Sequence, residues 1–269
     1  MTVVFSSISS TEQATWQWRQ IGSLAYLQCR LLAGFPHGFF TRSFVDYGLS
    51  DLTHCLGVDA EAYRTKQVHG KRVVTPSEMA QKSPELVEAD GLLSDGNQQA
   101  LWVASADCTP ALIADVKRKR VAAVHAGWRG TALSILPSAI ARFLDTDSEL
   151  SNLRVALGPA ISGEVYQVSE EVAAQVGSSL FPQADHFSSE AILEQLWQLK
   201  PSPLFPDSEP DKVRLDVRVV NTLQLKNLGF QSEQIAIAPY CTYQQGEQFF
   251  SYRRLREKAV QWSGIVSSV

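Results

Sequence analysis

The sequence has few cysteines, no excess of positive charge and no long apolar run. Its four cysteines lie far apart without a C-x-x-C pair, which indicates free thiols in a reducing compartment rather than a disulfide framework. The 24 Lys and Arg are outnumbered by 28 Asp and Glu, so the net charge of -4 gives no field that attracts nucleic acid or an anionic membrane. No apolar run is long enough to span a bilayer, and the N-terminus lacks the pattern of a secretory signal. We therefore expect a cytoplasmic protein that binds neither nucleic acid nor membranes.

The rest of the composition is typical of a globular protein. Hydrophobic residues make up 45% of the sequence, which is sufficient for a substantial core. No repeat and no Gly/Ser-rich or charged linker divides the chain, so we expect one domain over residues 1–269. Short β-branched runs dominate the first half, and helical spacing becomes frequent in the second. This order predicts an α+β fold, a layered sandwich of helices on a central mixed β-sheet.

Local patterns predict the individual elements. Strands are expected within 22–41, 66–75, 100–116 and 119–128, and in the late segments "IAIAPYCTY" and "QFFSYRR". Helices are expected at 131–144, 169–180 and 213–229, with Pro137 either opening a second helical piece within the first of them or kinking it. A surface loop or lid is expected at the proline-rich stretch 200–211. We expect Thr131 to cap the first helix and Ser169 to cap the second. Leu215, Val219 and Leu223 are predicted to form the buried stripe of the third helix.

Three residues with metal-binding or nucleophilic side chains lie where apolar runs end. They are His69 in "KQVHG", Cys108 in "SADCTP" and His125 in "AAVHAG". Because strand ends can converge in space, these side chains are candidates for one site. Two imidazoles and one thiolate suit Zn²⁺, and three protein ligands with a vacant fourth position are typical of a catalytic zinc. The spacing alone leaves plainer alternatives open: a turn histidine, a buried thiol and a core histidine.

Charged residues near these three in sequence are further candidates. Arg129 lies between two glycines just before a predicted helix, where a planar guanidinium suits an oxyanion such as inorganic phosphate. A structural salt bridge or carbonyl cap is the alternative. Asp90 and Asp107 are candidates to contact substrate or phosphate, to orient a histidine or to accept a proton. Turn formation accounts for both carboxylates equally well.

Eight motifs occur in an order that resembles the bacterial YfiH/YlmD family, whose human relative is FAMIN. They are "PHGFFTR", "KQVHGKRVV", "ADGLLSD", "SADCTPALIAD", "AAVHAGWRGT", "GPAISGEVYQV", "APYCTY" and "FFSYRR", and they cover about residues 36–254. The resemblance implies a YfiH-like fold, similar to that of cysteine hydrolases. It also implies that His69, Cys108 and His125 are the metal-binding and catalytic residues.

The sequence departs from this family at three places. It lacks the usual "GGVS" loop after "FFTR", and Val165 stands where a cysteine is common. After "SYRR", the stretch "LREKAVQWSG" replaces the Gly-Arg pair of the family. None of these changes affects the three candidate ligands, but they affect the expected contacts with substrate.

The resemblance implies purine nucleoside phosphorolysis, adenosine deamination and methylthioadenosine phosphorolysis. The implied substrates are purine nucleosides and inorganic phosphate, and the implied ion is Zn²⁺, with copper as the alternative. Phe39, Trp128, Tyr166 and Phe250 are candidate stacking surfaces for a purine, although ordinary core packing explains each of them.

Other functions remain open at this stage. A hydrolase that edits a peptidoglycan precursor would use Cys108 as nucleophile and His125 as base. The polyphenol oxidase label of the family is less well supported, because five histidines and two methionines are few for a multicopper enzyme. A structural zinc protein would be marked by a fourth protein ligand.

Overall fold

The computed structural model describes residues 15–81, 86–181 and 186–268. Its strands are β1 (Trp16–Ile21), β2 (Leu24–Cys29), β3 (His37–Phe40), β4 (Glu61–Tyr63), β5 (Val73–Val74), β6 (Gly91–Leu93), β7 (Gln99–Ser105), β8 (Thr109–Asp115), β9 (Val121–Ala126), β10 (Leu153–Leu157), β11 (Gln167–Ser169), β12 (Leu204–Pro206), β13 (Lys212–Leu215), β14 (Ile235–Ile237) and β15 (Gln261–Val266). Its α-helices are α1 (Leu49–Cys55), α2 (Pro76–Ala80), α3 (Trp128–Ala132), α4 (Ile135–Leu144), α5 (Glu170–Ser178), α6 (Ser189–Gln198), α7 (Val217–Asn227) and α8 (Tyr252–Leu255).

Most strands belong to two six-stranded sheets, with the orders β1-β2-β3-β15-β7-β4 and β14-β10-β8-β9-β6-β5. A third sheet has the order β11-β13-β12. Each large sheet contains antiparallel ladders and at least one parallel pair, such as β4 with β7 and β10 with β14. The predicted α+β class with mixed β-structure is therefore confirmed, although the strands are divided among several sheets rather than gathered in one central sheet.

The hairpin of β8 and β9 forms the centre of the second sheet. Both strands are buried at every residue, so apolar packing fixes them on both faces. The carboxylate of Asp115 accepts the backbone N–H groups of Lys117 and Arg118 and thereby closes the turn at one end. At the other end, Thr109 pairs with Ala126. This register places the residues just before β8 and at the end of β9 side by side.

Apolar clusters cover both faces of the second sheet. One cluster joins the two large sheets and includes Leu27, Leu101, Leu112, Ala123 and Ile265. On the opposite face, α4 contributes Leu136, Ile140 and Phe143 to a second cluster. Because these three are spaced by four and three residues, they share one face of the helix. The strands that carry the candidate site are therefore held between two packed layers.

The segment 131–144 forms two helices, as one of the two alternatives for Pro137 predicted, but the break lies at Ser134 and Pro137 falls inside the first turn of α4. Ser134 adopts a left-handed φ of 61° between α3 and α4 and so interrupts the helical path. Thr131 is wrong as a cap, because it lies inside α3 and its hydroxyl donates to the side chain of Asn221. Ser169 does cap the next helix, α5, since its hydroxyl accepts the N–H of Val172.

Three further sequence predictions were wrong in part. In the stripe expected on the third helix, Leu215 is buried but lies in β13, and Val219 and Leu223 are only half-buried. The helix α7 begins at Val217 and turns Val220 and Leu225 inward instead. The stretch predicted as a loop contains β12, which pairs with β13. "QFFSYRR" leads into α8, and the final strand follows it as β15.

Candidate active site

His125 is the penultimate residue of β9, the second strand of the buried hairpin. Its side chain is 3% exposed, and its backbone N–H donates to the carbonyl of Asp90 at 2.7 Å. Its Nδ1 lies 2.9 Å from Oδ1 of Asp90. Because a carboxylate only accepts, this bond assigns the proton to Nδ1 and leaves Nε2 available to a ligand.

His69 reaches the same place from a loop, not from the strand end predicted for it. The strand expected over 66–75 is reduced to β5, and His69 is exposed and has a left-handed φ of 60°. The carboxylate of Asp90 accepts the backbone N–H groups of Val68, His69 and Gly70 at 3.1, 2.9 and 2.7 Å. One fully buried carboxylate therefore holds both the loop of His69 and the ring of His125.

Cys108 lies in the short connection between β7 and β8, immediately before the central hairpin. A Cβ at position 127 would come within 2.7 Å of Sγ of Cys108 and 3.4 Å of Cδ2 of His69. Any side chain larger than that of glycine would force the sulfur to shift. We did not predict this requirement from the sequence, because Gly127 has the pattern of an ordinary turn residue before a helix.

The three predicted ligand residues converge. One ligand atom from each of His69, Cys108 and His125 lies within 4.8 Å of the others, and the two imidazole rings are 4.9 Å apart at 78°. Two nitrogens and one sulfur at this separation fit a tetrahedral zinc ion after small adjustments. No fourth His, Cys, Asp or Glu joins the group in the part of the chain that the structure describes. The arrangement thus matches an open site better than a closed structural one.

The electrostatics of the group favour a deprotonated sulfur. Burial opposes ionisation of the Cys108 thiol, but the charge of His125 and hydrogen bonds with both histidines lower its pKa to about 6. Burial also opposes the charging of His125, but Cys108 and Asp90 raise its pKa to about 9. Without a metal, Nε2 of His125 therefore carries a proton at neutral pH, and this proton must leave when a metal ion binds. Against its own burial, Asp90 has a lowered pKa because His125 and the backbone N–H groups bind its carboxylate. A thiolate is the form required both of a metal ligand and of a nucleophile.

The converged side chains line a cavity of about 460 Å³. Gln67, Tyr252 and Trp262 contribute to the lining, and Gln67 is fixed by two hydrogen bonds to the backbone of Ala104. Tyr252 and Trp262 were not recognised from the sequence, because nothing in their local pattern separates a cavity wall from packing. The cavity is large enough for a nucleoside-sized ligand.

The four predicted stacking aromatics lie outside this cavity. Phe39 is a core residue at 1% exposure, and Phe250 is buried beneath the guanidinium of Arg42. Trp128 and Tyr166 instead line a smaller cavity that also includes Cys108. A purine in the larger cavity would therefore meet Tyr252 or Trp262 rather than these four.

Arg129 follows Trp128 at the start of α3 and is exposed. Its Cζ lies 4.3 Å from the centre of the Trp128 ring. Within residues 15–81, 86–181 and 186–268, its side chain makes no hydrogen bond or ion pair, so neither alternative raised for it is observed. The guanidinium is free to bind a ligand.

Both candidate carboxylates are engaged by the protein. Asp107, at a left-handed φ of 91°, accepts the hydroxyl of Thr242 and the backbone N–H of Arg253, each at 2.7 Å. Asp90 is saturated by the donors described above. A phosphate in direct contact with either carboxylate would be repelled by its like charge. The contacts of Asp90 match one of its predicted roles, the orientation of a histidine, and those of Asp107 hold the connection that carries Cys108. Binding of substrate or phosphate by either residue stays a prediction.

Layered sheets with an open His–Cys–His group beside a ligand-sized cavity define a protein with a candidate catalytic metal site. The family model described as multi-copper polyphenol oxidoreductase laccase matches residues 42–267. The chain belongs to this family, as the sequence motifs predicted.

Named relatives extend the comparison. A purine nucleoside phosphorylase from Synechocystis sp. is 52% identical over 256 residues, covering 94% of this chain and 97% of the relative. The purine nucleoside phosphorylase YfiH of Escherichia coli is 32% identical over 191 residues, covering 70% of this chain and 67% of the relative.

Two crystal structures share the fold. YfiH from Bacillus licheniformis has a TM-score of 0.77 at 23% identity, covering 94% of this chain and 99% of that one. YlmD from Geobacillus stearothermophilus has a TM-score of 0.75 at 24% identity, with the same coverage. Among the described helices of the present chain, none has both the length and the apolar character needed to cross a membrane.

Proposed function

We propose that the protein is a zinc-dependent purine nucleoside phosphorylase that also deaminates adenosine and cleaves methylthioadenosine with phosphate. The observation that carries this proposal is the convergence of His69, Cys108 and His125 within 4.8 Å on the wall of a 460 Å³ cavity. The names of the relatives support the phosphorylase part. Deamination, methylthioadenosine cleavage and the choice of zinc rest on the family resemblance and on the donor set.

Two imidazole nitrogens and one thiolate would hold the zinc ion, which when bound supplies Lewis acidity at an open coordination position. Asp90 keeps the proton of His125 on Nδ1, so that Nε2 faces the ligand position. Asp90 also fixes the backbone of His69. The protein residues thus preorganise the site before substrate enters.

In phosphorolysis, a phosphate oxygen forms a bond to the anomeric carbon of the ribose as the bond from that carbon to the purine nitrogen breaks. The purine leaves with the electron pair and takes the proton of the monohydrogen phosphate, so atoms and charge balance. Arg129 would hold the phosphate through its free guanidinium. The residues that line the larger cavity would hold the nucleoside against it.

The direct test combines product identification with metal analysis. Purified protein is incubated with adenosine, inosine or methylthioadenosine, with and without inorganic phosphate, before and after removal of metal. We expect pentose 1-phosphate and free base only with phosphate, inosine from adenosine without it, and neither product in metal-free protein. Full activity after metal removal would refute the proposal.

Arg129 offers a sharper test within the same assay. Arg129→Ala is expected to lower phosphorolysis about tenfold or more, because a charge-assisted hydrogen bond to phosphate is lost. Deamination uses no phosphate and should change little. An equal loss of both activities would show that Arg129 does not act on phosphate.

One observation favours a second candidate function. The imidazolium of His125 lies between the thiolate of Cys108 and the buried carboxylate of Asp90. This is the arrangement of a cysteine hydrolase. Such an enzyme would act on a peptidoglycan precursor. A chelator separates the two functions, since it should abolish zinc-dependent cleavage of nucleosides but leave a Cys–His hydrolase active.

We do not propose multicopper oxidase chemistry. His37 is buried, and both of its ring nitrogens are engaged, one by the carbonyl of Phe35 and one by the N–H of Cys29. His54 and His186 are exposed. Among the described residues, the His–Cys–His group is the one cluster of metal-ligating side chains. Several copper centres would need more ligands than this.

A further inference from the structure

Cys108 lines two separate cavities. The larger is the 460 Å³ cavity described above. The smaller has a volume of about 30 Å³ and is lined by residues that include Cys108, Gly127, Trp128 and Tyr166. A space of this size admits a water-sized group. It therefore suits an oxygen atom of a small ligand but excludes a purine ring.

Two guanidinium groups stack on Trp128 and Tyr166, which line the smaller cavity, although neither arginine is itself a lining residue. Cζ of Arg253 is 4.8 Å from the centre of the Tyr166 ring, and Cζ of Arg129 is 4.3 Å from that of Trp128. Arg253 is oriented by a 2.8 Å hydrogen bond from Nη1 to the carbonyl of Gln167. Its Nε and Nη2 make no hydrogen bond to any described residue, so part of its donor fork remains available.

Tyr166 adds a neutral donor to this positive surface. A tyrosine hydroxyl is protonated at neutral pH, and burial raises the pKa of Tyr166 further, to about 12. The hydroxyl thus keeps its proton and can donate it. Two groups that line the cavity oppose an anion here, the sulfur of Cys108 and the carboxylate of Asp107. A metal ion bound to Cys108 would offset the charge of the sulfur, and the oxygens of Asp107 already accept the hydroxyl of Thr242 and the N–H of Arg253.

We propose that Tyr166 and Arg253, together with Arg129, form the subsite for inorganic phosphate, with one phosphate oxygen in the smaller cavity. This inference rests on the proposed phosphorolysis, because it assigns the place of the second substrate. α8 connects the two cavities, since its Tyr252 lines the larger one and its Arg253 stacks on Tyr166, which lines the smaller one. The nucleoside and the phosphate are thereby held by adjacent residues and meet beside Cys108.

The test measures phosphate binding without turnover. Inorganic phosphate is titrated calorimetrically into zinc-loaded protein in the absence of nucleoside, and the metal content of each variant is determined. Arg253→Gln should raise the Kd for phosphate about tenfold or more, and Tyr166→Phe about threefold, as charge-assisted and neutral hydrogen bonds are lost. Arg118→Gln is the matched control, because it removes the same charge at the far end of the β8–β9 hairpin and should leave the Kd unchanged.

The other outcomes distinguish failure of the phosphate subsite from failure of the proposed function. An unchanged Kd in both Arg253→Gln and Tyr166→Phe, or no phosphate binding by the unaltered protein, would overturn the subsite. If Arg253→Gln loses its metal or unfolds, Arg253→Lys replaces it, because lysine keeps the charge but not the fork and should still weaken binding. Phosphate binding that depends on Arg253, combined with nucleoside cleavage that needs no phosphate, would instead refute the proposed function and leave the subsite standing.

Discussion

The candidate metal ligands come from two unlike regions of the molecule. Cys108 and His125 stand at one end of the β8–β9 hairpin, whose strands are buried throughout. His69 stands on an exposed loop with a left-handed backbone. Packing fixes the first pair, whereas hydrogen bonds to Asp90 fix the loop. A site can therefore be preorganised without being rigid throughout, provided that one buried group, here Asp90, binds both its packed part and its exposed part.

The largest expected effect comes from removing a ligand side chain. Cys108→Ala and His125→Ala on the hairpin, and His69→Ala on the loop, should each remove bound zinc and lower nucleoside turnover more than about 100-fold, because two ligands do not hold a catalytic zinc. Metal analysis and initial rates on the same preparations check this. Retention of stoichiometric zinc by His69→Ala would show that the loop contributes no ligand.

Asp90→Asn should have the next largest effect, because it weakens the group that connects the two regions. An amide cannot accept from all four donors that face Asp90, and its NH₂ group opposes backbone N–H groups. We expect zinc affinity to fall about 10- to 100-fold, as is usual when a carboxylate behind a histidine ligand is lost. Competition with a chromogenic chelator measures the affinity.

Asp95→Asn is the control for that experiment. Asp95 also accepts hydrogen bonds, from the N–H of Ser77 and the side chain of Gln99, but it lies exposed on the surface. Asp95→Asn should change the zinc affinity of the unaltered protein by less than about twofold. Equal losses for Asp90→Asn and Asp95→Asn would mean that charge alone, rather than position, explains the effect.

A smaller effect is expected where the hairpin approaches the next helix. Gly127→Ala places a methyl group 2.7 Å from Sγ of Cys108, so the sulfur must shift away from the two imidazoles. We expect zinc affinity to fall about tenfold, by analogy with the loss of a ligand-orienting contact. Gly34→Ala meets no atom within 4 Å and serves as the control. Unchanged affinity in Gly127→Ala would show that the site tolerates movement of Cys108.

The same contrast explains what could be predicted from the sequence. Apolar runs indicated β7, β8 and β9 because buried strands have continuous hydrophobic patterns. His69 lies in a loop whose conformation depends on Asp90, a residue 21 positions away, and no local pattern reports such a contact. The family motifs identified the His–Cys–His group, whereas composition and spacing left it one of several alternatives. Tyr252 and Trp262 were missed because the cavity they line exists only after the sheets pack.

The smallest expected effect concerns the stability of the metal-free protein. His125→Ala should lower the free energy of unfolding by about 2 kcal/mol, because it deprives the buried carboxylate of Asp90 of a charged partner. His69→Ala alters an exposed side chain whose backbone N–H still donates to Asp90, so its cost should stay below about 0.5 kcal/mol. Urea unfolding of both variants in chelator measures the difference. An equal loss of unfolding free energy in both variants would mean that the His69 side chain stabilises the fold as much as that of His125. That result would contradict the distinction between a packed hairpin and a loop held only by its backbone.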